Sequence, residues 1–184
     1  MAIKSTIFKA DIQITDMDRH YYEEHQLTIA RHPSENDERM MVRLLAFALN
    51  AGELMQFSKG LSAENEPDIW QKSFSDEIEV WIDLGQPDEK RIRKACGRSR
   101  QVMIYTYQGS SAAVWWEQSR SKLERFDNLS VFNLADESVK AIGQMAERSM
   151  RLQCTIADGQ LWFGDGDDAI EITPEVWKSA KQGK

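Results

Sequence analysis

The chain has 184 residues, 29% charged and 41% hydrophobic, an ordinary balance for a globular protein with one sizeable core. Its net charge of −7 excludes a protein that coats nucleic acid or an anionic membrane through bulk charge, while leaving room for a local basic groove. No apolar run reaches the roughly 20 residues of a membrane span, and Cys96 and Cys154 are too few for a disulfide framework or a zinc cage. The opening stretch MAIKSTIFKADIQI alternates like a strand and has no signal-peptide pattern, so the expected location is the cytoplasm, with no membrane partner and both thiols reduced and buried.

Residues from Ile3 to Thr15 and from Gln26 to Arg31 alternate in polarity around the turn chemistry of Asp16, Asp18 and Arg19, which predicts an antiparallel strand pair. Ser34 is then expected to cap a helix, with Asp37 in the capping-box position and Gly52 beyond its end. Met40, Met41, Leu44, Leu45, Ala48 and Leu49 fall at helical spacing, so one side of that helix is expected to be buried. Glu38 lies at the edge of this stripe, an awkward place for an acid unless it faces a cleft or a partner.

Leu54 to Leu61 reads as a short strand, followed by a polar loop carrying Glu64, Glu66 and Asp68. Ile78 to Leu84 alternates as a strand and is broken by Gly85, Gln86 and Pro87. A helix from Asp88 to about Arg98 and a strand from Gln101 to Tyr107 complete a βαβ unit, hence a parallel crossover. A helix from Ser111 to Leu123, a strand from Leu129 to Leu134 and a helix from Asp136 to about Arg148 extend the pattern. Strands from Met150 to Ile156 and from Gln160 to Phe163 flank Asp158-Gly159, a hairpin signal, and Ala169 to Ile172 follows an acidic turn. The expected fold class is α/β with α+β elements. A mixed-sheet core with helices spans about 34–148, the strands at about 3–31 and 149–173 form a second antiparallel sheet, and 1–184 is one domain.

Chemistry concentrates between Glu66 and Arg100. Asp83 is expected near the C-terminal end of its strand, where open α/β sheets keep their ligands, and its bland alternative is to terminate the strand or cap the turn at Gly85. Asp68 in Pro67-Asp68 is by itself a turn residue, but two or three carboxylates round a small cavity suit Mg²⁺. Lys94 and Lys90, one helical turn apart, are candidates to stabilise developing charge. Lys90, Arg91, Arg93, Lys94 and Arg98 otherwise make a solvated helix face or bind an anionic partner such as nucleic acid. For His32 a structural hydrogen bond outweighs anion binding, and for Trp115-Trp116 packing outweighs base stacking. The Asp165-Gly166-Asp167-Asp168 stretch reads as a turn. No catalytic Ser or Cys set, phosphate loop or dinucleotide fingerprint appears.

The start MAIKSTIFKADI and the segments LTIARHPSENDERMMVRLLAFAL, FSKGL, EPDIW, WIDLGQPDEKRIRKAC, VWW, NLSVFNL and LQCTI, in this order along essentially the whole chain, resemble the YaeQ family of bacterial proteins. The resemblance implies a restriction-endonuclease-like core of the PD-(D/E)xK superfamily, with Asp68 and Asp83 as the motif acids and Glu38 as the acid of the first core helix. It therefore implies a Mg²⁺-dependent nuclease-type phosphodiesterase site. The motif lysine is replaced by Gly85, and Lys94 or Lys90 is the candidate substitute. The alternative is a non-catalytic regulatory protein on the same fold. It would bind nucleic acid through helix 88–98 or meet the transcription machinery, a link the resemblance also implies.

Overall fold

The computed structural model describes residues 4–59 and 64–181, which divide into two compact units. The first holds residues 4–51 and 137–174, and the second 52–59, 64–136 and 175–181. Ile3 and Leu61, the expected outer limits of two strands, lie outside the described residues.

In the first unit, β1 (Thr6–Asp16) and β2 (Tyr21–Arg31) pair antiparallel over eleven residues, so β2 begins five residues before the expected Gln26. After α1 (Asp37–Asn50) the chain leaves for the second unit, and it returns for α4, β8, β9 and β10. The four elements α4 (Asp136–Gly143), β8 (Ser149–Ala157), β9 (Gln160–Gly164) and β10 (Ala169–Ile172) close this unit. Its sheet runs β10-β9-β8-β1-β2, with strands from both chain ends joined as expected. The central β1–β8 pair is nevertheless parallel, so this is a mixed sheet.

The β1–β2 turn is tied across the sheet. Asp18 accepts the Asp158 and Gly159 backbone N–H groups at 2.7 and 2.9 Å, and those bonds hold its carboxyl below the ordinary range. Gly159 at φ 76° and Asp158 at φ 53° make the tight reversal that the Asp-Gly pair predicts. Helix α1 is capped by Asn36, whose side chain accepts the Arg39 N–H, and Ser34 instead bonds the His32 ring. Every α1 residue from Met40 to Ala48 is buried, Arg43 included, so the helix is enclosed all round and not on one side as its stripe suggests. Arg43 is matched by the buried Glu35 carboxylate and the Ala30 carbonyl, while Arg39 pairs with the same acid at 2.8 Å.

The second unit is built on β3 (Met55–Phe57), β4 (Ile69–Lys72), β5 (Ile78–Leu84), β6 (Ser99–Thr106), β7 (Leu129–Asn133) and β11 (Glu175–Lys178). Helix α2 (Glu89–Arg98) joins β5 to β6, and α3 (Ser110–Leu123) joins β6 to β7. The order is β11-β7-β6-β5-β4-β3. The three central strands are parallel, as the βαβ reading predicts, and the outer pairs are antiparallel. Two four-residue strands, β4 and β11, are present where the sequence pattern predicts no element. In the register, Trp81 lies beside Val102 and Leu129, and Asp83 beside Ile104 and Val131. Ile92 and Ala95 of α2 and Leu123 of α3 join that face in one apolar cluster. Trp115 and Trp116 pack against this cluster, with Trp116 stacked on Trp177 at 5.7 Å, so they belong to helix–sheet packing.

Helix α4 ends five residues short of the expected Arg148, at a glycine that abuts α1. A Cβ on Gly143 would meet Glu38 Cγ at 2.8 Å and Glu38 Cα at 3.3 Å, so the helices approach more closely than an alanine permits. Gly143→Ala is therefore expected to destabilise the fold by about 1–3 kcal/mol in chemical denaturation. An unchanged or raised midpoint would show that the approach relaxes freely.

Candidate functional site

The C-terminal end of β5 carries Asp83 into the layer between sheet and helix, where it is only 3% exposed. A buried carboxylate needs partners, and the first turns of α2 supply one. Asp88 caps this helix, accepting the Arg91 N–H at 2.8 Å, which fixes Arg91 in the first turn. The Arg91 side chain turns back to the strand. Its Nε donates to Asp83 Oδ2 at 2.9 Å and its Nη2 to Asp83 Oδ1 at 3.0 Å, a bidentate pair. The guanidinium also lies over the Trp81 ring, 5.8 Å from its centroid.

The same guanidinium holds a loop. Nη1 donates to the Glu64 carbonyl at 3.1 Å and Nη2 to the Glu66 carbonyl at 2.9 Å. Arg98 donates to the carbonyl between them, Asn65, at 2.9 Å, and Lys94 Nζ to Asn65 Oδ1 at 3.2 Å. Three consecutive backbone carbonyls with no ladder to join are thus satisfied by α2 side chains.

Asp68 precedes β4 and accepts the Leu84 N–H on Oδ2 at 2.9 Å, which brings it to the end of β5 beside Asp83. Burial pushes the Asp83 carboxyl above its ordinary 3.8; the hydrogen bonds and charge of Arg91 oppose this, and the Asp68 charge adds to it. Arg91 is held still more firmly protonated by its bonds to Asp83. Gly85 stands at φ 88° and donates its N–H to the Tyr105 carbonyl, so a lysine there would be strained. A cavity of about 280 Å³ opens over this region, lined by Glu64, Trp81, Asp88, Lys90, Arg91 and Lys94.

A family model described as YaeQ protein matches residues 1–174. The chain belongs to the YaeQ family. It is 44% identical over 178 residues to the uncharacterized protein YaeQ of Escherichia coli K12, covering 97% of this chain and 98% of that protein. The Salmonella typhi relative is 45% identical over the same coverage. Among solved structures, the YaeQ protein of Xanthomonas axonopodis pv. citri superposes with a TM-score of 0.92 at 43% identity, covering 95% of this chain and 99% of that one. That of Pseudomonas syringae gives 0.91 at 31% identity, covering 95% and 97%. The two mixed sheets with helices are thus a YaeQ-family arrangement.

Set against the expected site, the geometry brings Asp68, Asp83 and Arg91 together. The cation that reaches Asp83 is Arg91; Lys94 bonds Asn65, and Lys90 lines the cavity. Glu38 stands half-buried on α1 in the first unit. Arg93 pairs with Glu89 at 3.5 Å on the exposed face. Magnesium requires a near-octahedral shell of oxygens at about 2.1 Å. Here both Asp83 oxygens face a guanidinium, one Asp68 oxygen faces a backbone N–H, and no three His, Cys, Asp or Glu side chains gather among the described residues. As arranged, these residues do not fit a resident Mg²⁺. Sequence reasoning missed the Asp83–Arg91 bond, although an arginine in the first turn after a short strand–helix loop was its visible signal. No helix among the described residues is long and apolar enough to cross a membrane.

Removing Arg91 strands a buried carboxylate. Arg91→Met is expected to cost about 3–5 kcal/mol, and Arg91→Met combined with Asp83→Leu to recover most of it. A loss below about 1 kcal/mol would mean the pair is incidental. Because Asp83 titrates above its unfolded value, the native state binds the extra proton and stability falls as pH rises past 3.8. In Arg91→Met that fall extends to higher pH, which denaturation midpoints across a pH series would reveal.

Proposed function

We propose that this chain is a non-catalytic nucleic-acid-binding protein, cytoplasmic, on a restriction-endonuclease-like core, and that it grips the sugar-phosphate backbone through α2. The observation that carries this reading is the distribution of paired and unpaired charge on the helix. Arg91 is matched by Asp83 and Arg93 by Glu89, and beyond the helix Arg100 is matched by Glu77. Lys90, Lys94 and Arg98 have no carboxylate partner among the described residues. They are spaced four apart, so they form one row along the helix, each about 6 Å beyond the last. A line of uncompensated positive charge on a chain of net charge −7 complements a polyanion. Hydrolysis is not needed to explain it.

A second reading, metal-dependent phosphodiester cleavage, is favoured by the closeness of Asp68 to Asp83. It requires Arg91 to release Asp83 before a cation enters. Burial pushes the Cys96 thiol up to about 11 and the Cys154 thiol up to about 12, so neither serves as a reactive thiolate.

At low salt the chain is expected to bind single-stranded and duplex oligonucleotides without cleaving them in Mg²⁺. Lys90→Ala with Lys94→Ala should weaken binding about equally for all sequences. It should also flatten the plot of log affinity against log salt by about two units, as anisotropy titrations would measure. Absence of binding by the parent chain would overturn the proposal. Calorimetric Mg²⁺ binding lost in Asp83→Asn, with cleavage lost alongside, would install the second reading in its place.

A further inference from the structure

The hairpin between β4 and β5 holds an aromatic ring in water. Phe74 is 95% exposed, whereas the other six phenylalanines are all buried or half-buried. The turn that carries it is fully specified without it. Ser73 N–H donates to the Glu77 carbonyl at 2.8 Å, Asp76 N–H to the Ser73 carbonyl at 3.0 Å, and Glu77 N–H to Ser73 Oγ at 3.1 Å. Asp76 takes the positive φ of 66° that closes the reversal, a conformation aspartate tolerates. Nothing in this turn calls for a phenylalanine, and a serine would avoid exposing the ring to water.

The hairpin adjoins the end of the cation row. Ile78, the first residue of β5, pairs with Ser99, where α2 hands the chain to β6. A second cavity, of about 460 Å³, lies here between Asp76, Glu77 and Ile78 on one side and Gly97, Arg98 and Arg100 on the other. The row therefore runs from the cavity over Trp81, lined by Lys90 and Lys94, to a cavity shared by Arg98 and the hairpin. The two hairpin acids are already engaged, Asp76 with Lys72 at 3.4 Å and Glu77 with Arg100 at 3.8 Å. They leave the row's charge uncancelled.

We infer that Phe74 is a base-stacking residue, and that the partner of the α2 row is a single-stranded nucleic acid with an unpaired base laid on this ring. The inference rests on the backbone-binding reading and adds its strand preference. Duplex bases are already stacked on each other and offer no free face, whereas any single-stranded base does, so the contact selects strand state and not sequence.

The test uses the full chain with three probes: a single-stranded oligonucleotide containing 2-aminopurine, an abasic strand of equal length, and a duplex. The parent chain is expected to quench 2-aminopurine fluorescence and to bind the single strand more tightly than the abasic one. Phe74→Ala should lose about tenfold in affinity for the base-bearing strand and none for the abasic strand. Phe74→Trp, which keeps a stacking face, should retain both affinity and quenching. If Phe74→Ala binds the base-bearing strand like the parent while Lys90→Ala with Lys94→Ala weakens it, stacking is refuted and backbone binding stands. Equal losses on the base-bearing and abasic strands would also refute stacking. If the parent binds none of the probes, both readings fall.

Discussion

The bond between the Arg91 guanidinium and the Asp83 carboxylate organises the second unit. Asp83 is almost wholly enclosed, and a lone carboxylate there would carry a desolvation cost that few folds sustain. Arg91 reduces that cost with two parallel hydrogen bonds and gives two further donors to the Glu64 and Glu66 carbonyls. One side chain thus links the end of β5, the first turn of α2 and the loop that leads to β4. The Asp83 carboxyl still lies above its ordinary range, so burial outweighs the pairing. The pair is better understood as fixing geometry than as a large net source of stability.

This arrangement explains why a strongly basic helix sits in an acidic chain. Part of its charge is consumed internally: Arg91 answers Asp83 and Glu89 engages both Arg93 and Arg125, whereas Lys94 and Arg98 meet the neutral Asn65 and keep their charge. The exposed ion pairs among these contribute little energy each. Their consequence is selection. They neutralise some cations and leave Lys90, Lys94 and Arg98 as a line of net positive charge. The backbone-binding proposal depends on that residue of charge after pairing, not on the count of basic residues.

The first unit meets a similar problem in another way. Arg43 is enclosed in the otherwise apolar stretch Met40–Ala48 of α1, and Glu35 and the Ala30 carbonyl compensate it. Around this, alternating apolar residues of β1 and β8 are enclosed, Ile12 and Ile14 beside Leu152 and Cys154. Asp18 clamps the β8–β9 turn by accepting two backbone N–H groups, which is why its carboxyl ionises more readily than usual. Neither the buried Arg43 nor the exposed Asp18 needs a ligand to explain it.

Periodicity in the sequence determined the elements with strong repeats. The limits of Ile78–Leu84 agree with the strand found, the two βαβ crossovers are parallel, and the Asp158-Gly159 hairpin and the shared sheet of both chain ends are present. Each rests on local chemistry: a period of two, a cap, or a residue that tolerates positive φ. Strands β4 and β11 were not legible, because neither is flagged by a tight turn as the equally short β10 is, and their pairing comes from neighbouring strands. The enclosure of α1 on every side was equally hidden, since a 3.6-residue stripe reports one face only. The candidate site was half legible. Residue types and spacing drew attention to Asp68, Asp83 and the basic helix. Which cation reaches Asp83 depends on the phase of α2 relative to the strand end, set by the Gly85–Pro87 turn and the Asp88 cap. That phase aims Arg91 at the carboxylate and Lys94 at Asn65. Which charges remain unpaired, and which aromatic ring stays in water, are properties of neighbours distant in sequence, so only the tertiary structure decided them.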